Sequence, residues 1–521
     1  MKLKASMWIN IIALFAAVTM PVSMAAQDNA KRDHPHKYHH YQLIVVEPLG
    51  GPNSYLSGPN FQILNNRGAF AAYANTSTSN PNVSCFIPFN PFAPDCFVEH
   101  SVVLHSGVLT ELGVLPGGAN AQTVWITANG LVAGFSENGL IDPQTGQPAG
   151  VAVLWEGGKA INVGTVLGGT ESLASAVNNR GQVVGFSNND IPDAFSLAGF
   201  PTQTRAFLWQ YGVMRDLGTL GGPDASASFV NNHGQVAGFS YTDSAVNPST
   251  GVPTTHPFLW ENGKMTDLGT LGGTLSGSPL NITFGWLNNR GDVAGASNLA
   301  GDVTQHPFLW TKSEGMKDLG TLGGTFGYAN WVNDSREVVG ISSNLNDQAL
   351  HAFFWRDGVM TDLETVGSDP DSEAKSINFQ GQVVGASFDL AAGADLHGFL
   401  WENGGPIVDL NKLIARGSDM TIVNAFDIND RGEIAGNGFL ANGQARAVLL
   451  IPCDENHADV EGCDFDTVDA EAAAQVRPAQ ITAPSSAPSF ANLSPAERIA
   501  RFRSMTANRN RRFGMQQASP K

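Results

Sequence analysis

Histidine and aspartate recur at one spacing along this chain, and that pairing is where chemistry is first sought. His256 and Asp267 stand eleven residues apart across an Asn262-Gly263 turn, and His351 and Asp362 stand the same distance apart across Asp357-Gly358. Arg205 replaces His opposite an unchanged aspartate, Asp216. Asn-Gly and Asp-Gly are type I′ hairpin signatures, because both central residues need φ > 0. That turn sets Trp260 opposite Met265 and Phe258 opposite Asp267, so His256 and Asp267 fall on a diagonal about 7–8 Å apart, within side-chain reach. Exchange of His for Arg suits a charge-assisted hydrogen bond. A catalytic dyad is needed once, and repetition favours a structural lock in each copy.

Other oxygen and nitrogen groups could hold a cation. Asp243, Asp302, Asn344, Asn346 and Asp347 lie in long connections, and Ca²⁺ takes six to eight oxygen ligands. The rival reading is Asx turns, in which the same oxygens accept backbone N–H groups. His34 and His36 open a small His cluster with Zn²⁺ or Cu²⁺ chemistry. A flexible polar leader is the plainer reading. No cofactor is expected otherwise. The four cysteines, Cys85, Cys96, Cys453 and Cys463, form two local pairs without Cys-x-x-Cys spacing, which suggests two short-loop disulfides. No nucleophile elbow, His-Glu-x-x-His or phosphate loop occurs, so no catalytic residue is assigned and an enzyme is not expected.

These residues sit in a repeat. The phrase His256-Pro-Phe-Leu-Trp260, then Met265-Thr-Asp-Leu-Gly-Thr-Leu-Gly-Gly273, then Leu287-Asn-Asn-Arg-Gly-Asp-Val-Ala-Gly295-Ala-Ser297 returns from Arg205, His306 and His351, with weaker copies from His100, Val151 and His397. Equivalent positions Leu104, Trp155, Trp209, Trp260, Trp310, Trp355, Trp401 and Leu450 are 45 to 54 residues apart. That period fits one four-stranded propeller blade. Strand a is Phe-Leu-Trp, b is Met-x-Asp-Leu-Gly, c leads into Val-Asn, and d is Val-x-Gly-x-Ser. The repeated Phe and Trp read as core, because blades pack on both faces. The c–d turn reads Asn-x-x-Gly, except where Arg336 takes the Gly place. That turn is expected to be strained or differently shaped. The first copy lacks strand a, and the last strand a, from Ala447 to Ile451, lacks strand b. The expected fold is therefore all-β, an eight-bladed β-propeller over 43–451, closed by pairing of its N- and C-terminal strands. Seven blades plus an odd element is the alternative.

The phrase resembles the HAF family of bacterial extracellular repeats, and His351-Ala-Phe353 matches its name. The resemblance covers about 43–451. It implies export and tandem repetition, and carries no catalytic residue across.

Composition sets the outer limits. Of 521 residues, 58 are Gly and only 15% are charged, against about 25% usually, which excludes coiled coils and helical bundles. Lys2 and Lys4 precede an apolar run from Trp8 to Met20 and a Ser23-Met24-Ala25 cleavage site, so 1–25 reads as a signal peptide. Residues 26–42 are the His-containing leader, 452–493 an acidic then Ala/Pro/Ser-rich linker, and 494–521 a basic helix or tail. No later apolar stretch is long enough to span a bilayer, so no integral membrane protein is expected after cleavage. Net charge is −18, and 494–521 alone carry six Arg and one Lys against one Glu. An acidic body does not suit nucleic acid. The tail suits contact with anionic surfaces or with the body itself. The expected location is secreted or periplasmic in a bacterium.

The d–a connections are long, variable and emerge on one face, where binding usually sits. A binding scaffold at the cell envelope is the preferred expectation, with a glycan or envelope protein as partner. A glycan-active propeller enzyme and a purely structural surface protein are its rivals.

Overall fold

The computed structural model describes residues 37–474 apart from 57–61, 81–95, 145, 167, 249, 277–285, 391–393, 403 and 415–417. The described chain is all-β, a succession of antiparallel four-stranded meanders. One unit shows the plan. Strand c is Ala225–Val230, d is Val236–Val246, a is Pro253–Glu261 and b is Lys264–Asp267. Phe258 pairs with Asp267 and Trp260 with Met265, the register set by the Asn262-Gly263 turn, whose φ values are 53° and 86°. Ser172–Val177, Val183–Pro192, Thr202–Gln210 and Val213–Asp216 repeat the plan one unit earlier. Single parallel bridges, Thr255 to Leu275 and Gln305 to Phe326, link neighbouring units.

Burial orders the strands. In these two units every residue of strand c is buried, whereas strand b is mostly exposed. The c strands are innermost and the b strands form the rim, which is the arrangement of a β-propeller. Two repeated residues follow from this layout. Strand c bulges opposite the Gly of Val-x-Gly-x-Ser, with a register shift between Ala227 and Phe229. A Cβ on Gly238 would lie 2.0 Å from the Ser226 carbonyl oxygen, and one on Gly185 would lie 1.9 Å from that of Leu173. Only glycine fits there. The Ser of the same phrase ties the b–c bend to strand d: Ser240 Oγ accepts from Leu220 N at 2.9 Å and donates to Asp224 O at 2.9 Å.

Tyr41–Val45 pairs with Ala445–Pro452, Leu43 opposite Leu450, and so joins the first strand to the last of the repeats. Outside the repeat, Lys37–His39 pairs with Thr467–Asp469, and the short helix Ala470–Ala474 follows. Tyr38, Ala470 and Ala473 are buried with Leu410 and Leu413. Part of the leader is therefore a strand with a buried anchor, because Tyr38 has an apolar cluster to cover. Cys453 and Cys463 form a disulfide in this region. Cys85, His34 and His36 lie outside the described residues.

Two expectations are refined. The stretches taken as d–a loops are largely hairpin extensions: Val132–Ile141 and Pro148–Glu156 still pair at Ile141–Pro148, and the next two units reach Pro192–Thr202 and Val246–Pro253. Each extension passes a register shift, so a bulge lets pairing continue. At Arg336 the turn keeps its shape, with Arg336 N bonded to Asn333 O at 3.0 Å, and φ is 63° in a residue with a Cβ.

Candidate functional site

The repeated polar pairs meet. His256 Nδ1 lies 2.9 Å from both Asp267 oxygens, and His351 Nδ1 lies 3.0 and 2.9 Å from those of Asp362. Arg205 donates twice to Asp216, from Nε at 2.9 Å and from a terminal nitrogen at 3.2 Å. Each aspartate also accepts a backbone N–H two residues on: Asp267 from Gly269, Asp216 from Gly218, Asp362 from Glu364. One side chain thus holds the end of strand b and the start of strand a together. Burial opposes the protonated His351 ring, but the hydrogen bond to Asp362 and the nearby carboxylates outweigh it and raise its pKa. His397 departs from the pattern and bonds Asp369 at 2.7 Å. Asp409, at the end of its strand b, accepts from Asn411 N.

The proposed loop ligands are engaged by the chain's own donors. Asp302 accepts from Thr274 N and Oγ1, both at 2.7 Å. Asp347 accepts from Thr325 N at 2.7 Å, Thr325 Oγ1 at 2.8 Å and Ser343 Oγ at 2.6 Å. Burial works against these two ions, yet the hydrogen bonds lower both pKa values. Asn344 Oδ1 accepts from Ala349 N, Asp243 Oδ1 from Ala245 N, and the Asn346 carbonyl from Gln348 Nε2. Among the described residues no three His, Cys, Asp or Glu side chains gather as a metal site.

The antiparallel plan puts the d–a hairpins and b–c bends on one face. Leu140, Ile141, Ile191, Phe195, Val246, Val303 and Leu345 stand at the tips of five successive d–a connections and are 39% to 79% exposed. Behind them lie two carboxyl pairs. Asp224 accepts from Leu197 N at 2.5 Å and Thr204 N at 3.1 Å. Burial pushes its pKa up to about 8, against those hydrogen bonds and with Asp193 adding to the rise. Glu171, buried beside Asp142, is pushed up to about 7.

The innermost strands carry what the repeat did not reveal. Trp125, Phe229, Trp286 and Trp331, each from a different strand c or its end, cluster: Trp286 stacks on Trp331 with centroids 3.3 Å apart and on Trp125 at 5.2 Å, and Phe229 lies 5.1 Å from Trp286. The signal was present, an aromatic two residues before the turn Asn, as in Trp286-Leu287-Asn288 and Trp331-Val332-Asn333. The turn asparagines continue the link. Asn178 Nδ2 donates to Asn231 O at 2.9 Å, Asn231 to Asn288 O at 3.0 Å, Asn288 to Asn333 O at 3.1 Å, and Asn333 to Asn378 O at 3.0 Å. Asn378 donates to Asn429 O, Asn429 to Asn65 O at 2.9 Å across 364 residues, and Asn65 to Thr127 O. Asp427 works at the same seam. It accepts from Ile63 N, Leu64 N and Ser376 Oγ, and burial pushes its pKa up to about 7 against those bonds.

Consecutive meanders around buried inner strands define a propeller-type protein. No protein-family model and no curated relative matches the chain. Solved propellers do. The β-propeller domain of the trilobed protease from Pyrococcus furiosus matches at 9% identity and a TM-score of 0.40, over 80% of this chain and 95% of that one. The Dos1 propeller matches at 9% identity and a TM-score of 0.43, over 79% and 94%. Pyrococcus horikoshii acylaminoacyl peptidase matches at 10% identity and a TM-score of 0.38; 74% of this chain is covered, and it spans 57% of that peptidase. No residue role carries across such distances. No helix among the described residues is long and apolar enough to cross a membrane.

Proposed function

We propose that this chain is an exported eight-bladed β-propeller that serves as a binding scaffold at the bacterial cell envelope. Ring closure is supported by the pairing of Tyr41–Val45 with Ala445–Pro452 and by the Asn429 to Asn65 hydrogen bond, which joins the last repeat to the first. Export is supported by the signal-type N-terminus, the resemblance to extracellular repeats and the Cys453–Cys463 disulfide. In this reading the His/Arg–Asp pairs lock the outer hairpin of each blade, and the d–a face binds.

One observation carries the binding role. Seven of the thirteen exposed large apolar side chains among the described residues stand at the d–a tips of five successive units, and four more, Val108, Tyr211, Val213 and Val359, flank the a–b turns. Exposed apolar side chains gathered on one face of a fold mark an interaction site. The test is co-sedimentation of the mature chain with isolated sacculi and outer-membrane vesicles, beside the variant Leu140→Lys, Ile191→Lys, Val246→Lys. The expected result is sedimentation of the native chain and at least a tenfold loss in the variant. Equal sedimentation of the two, or none by either, overturns the reading.

A further inference from the structure

The d–a face is apolar at its tips and has no cation along its connections. Residues 137–150, 188–204, 241–255, 298–305, 344–350 and 388–396 contain Glu137 and eight Asp but neither Lys nor Arg. Asp302 and Asp347 are held ionised by their hydrogen bonds, which come from neutral donors and leave the negative charge in place. Asp190 and Asp243 are exposed beside Ile191 and Val246. A partner that covers such a face must bring positive charge and apolar side chains together, because like charges set against it cost affinity and specificity alike. An anionic lipid surface fails the first requirement and a neutral glycan gains nothing from it, so the envelope partner sought on sacculi and vesicles is a protein with basic and apolar side chains.

This chain contains a segment with both. Residues 494–521 carry six Arg and one Lys against one Glu, and Ile499, Phe502 and Met505 are spaced three apart among Arg498, Arg501 and Arg503. The described chain ends at Ala474, so about 20 residues separate it from that segment, a reach of about 65 Å when extended. A domain of this size has a radius of gyration of about 22 Å. That length of chain is enough to reach across the body.

We propose that the basic segment 494–521 docks in cis on the acidic, apolar d–a face and covers the tips Leu140, Ile141, Ile191, Phe195 and Val246. This rests on the reading of that face as a binding surface and adds its regulation: the tail competes with the envelope partner.

Hydrogen exchange is compared between the full mature chain and the full chain with Arg498→Glu, Arg501→Glu and Arg503→Glu. Exchange at 138–144, 188–198 and 242–248 is expected to rise several-fold in the charge-reversed chain, and native exchange at 1 M NaCl is expected to match it. A synthetic peptide of residues 494–521 should bind the charge-reversed chain in fluorescence anisotropy and lose at least tenfold in affinity when Leu140→Lys and Ile191→Lys are added. Unchanged exchange together with no peptide binding overturns the proposal. So does a salt-sensitive dimer of the native chain, which would place the tail on a second copy. Envelope sedimentation separates the two readings. The charge-reversed chain should sediment several-fold better. If it sediments as the native chain does, while the tip variant still fails, the tail proposal falls and the binding face stands.

Discussion

Arg336 stands where every comparable turn has glycine. Gly68, Gly181, Gly234, Gly291, Gly381 and Gly432 take φ between 70° and 85° at this place, and Arg336 takes 63°. Left-handed backbone costs a residue with a Cβ about 1–2 kcal/mol. Its guanidinium reaches the preceding unit and donates to both oxygens of Asp292, at 3.0 and 3.1 Å. Asp292 is 2% exposed. Two sister units make the same contact with an uncharged side chain, Gly291 over Gln235 and Gly432 over Gln382, and two others set a carboxylate there, Gly381 beside Glu337 and Gly68 beside Glu433. Arg336→Gly relieves the backbone but leaves the buried Asp292 with only Arg290 Nε, at 4.0 Å, as a cation, and breaking a fully buried pair costs about 3–5 kcal/mol. Asp292 keeps the Asn288 Nδ2 donor at 3.1 Å, so the lower end applies. The net expectation is a loss of about 1–2 kcal/mol. Adding Asp292→Gln restores the sister pairing and should recover about 2–3 kcal/mol, ending at or above native stability. Denaturant midpoints of native, single and double variants decide it, since a domain this large moves little in melting temperature per kcal/mol. Native-like stability in Arg336→Gly alone would refute the reasoning.

Three further outcomes are expected. Asp224, Glu171 and Asp427 have folded pKa values raised to about 8, 7 and 7, so the fold binds more protons than the unfolded chain and stability falls as pH rises through that range. Raised His351 and His397 act in the same direction, and unfolding curves between pH 5.5 and 8.5 should show a steady loss that Asp224→Asn reduces; a flat or rising profile contradicts the assignment. Trp286→Ala opens the stacked cluster and should cost about 3–5 kcal/mol with loss of the exciton-split circular dichroism of the indoles, whereas a small cost would mean that the cluster repacks. Asn429→Ala removes the bond to Asn65 together with the turn bonds from Arg431 N and Glu433 N and should cost about 2 kcal/mol or more, and the seam is read from faster exchange at Ile63 and Leu64, whose absence would deny it.

What could be read from the residues was local. The Asn262-Gly263 turn and a period of two place Phe258 opposite Asp267, and no distant contact can alter that. The glycine of Val-x-Gly-x-Ser was visible as a repeat, but its cause was not, because the colliding carbonyl belongs to a bulge that one strand alone does not show. The identity of the innermost strand depends on packing between units. A trace of it exists in Ser172-Leu-Ala-Ser-Ala-Val177 and Ala225-Ser-Ala-Ser-Phe-Val230, where small residues allow strands to converge. The d–a stretches carried so many Asx signals that their extended pairing was masked.

The position just after the c-strand bulge shows how a repeat accommodates what it does not repeat. Ile63, Trp125, Ala176, Phe229, Trp286, Trp331, Ser376 and Asp427 occupy it or its equivalent in turn, beside turns that otherwise vary little. Inward-facing side chains from separate units meet one another there, so each is selected against distant neighbours and not against its own hairpin. Four aromatics fill one side. At the other, Asp427 takes the N–H groups of Ile63 and Leu64 and the hydroxyl of Ser376, joining first, seventh and eighth copies through one carboxylate. The repeated residues hold each sheet, and this unrepeated set joins the sheets to one another. It follows that exchanging whole c strands between units should damage the molecule more than exchanging b strands, although the b strands carry the better-kept phrase.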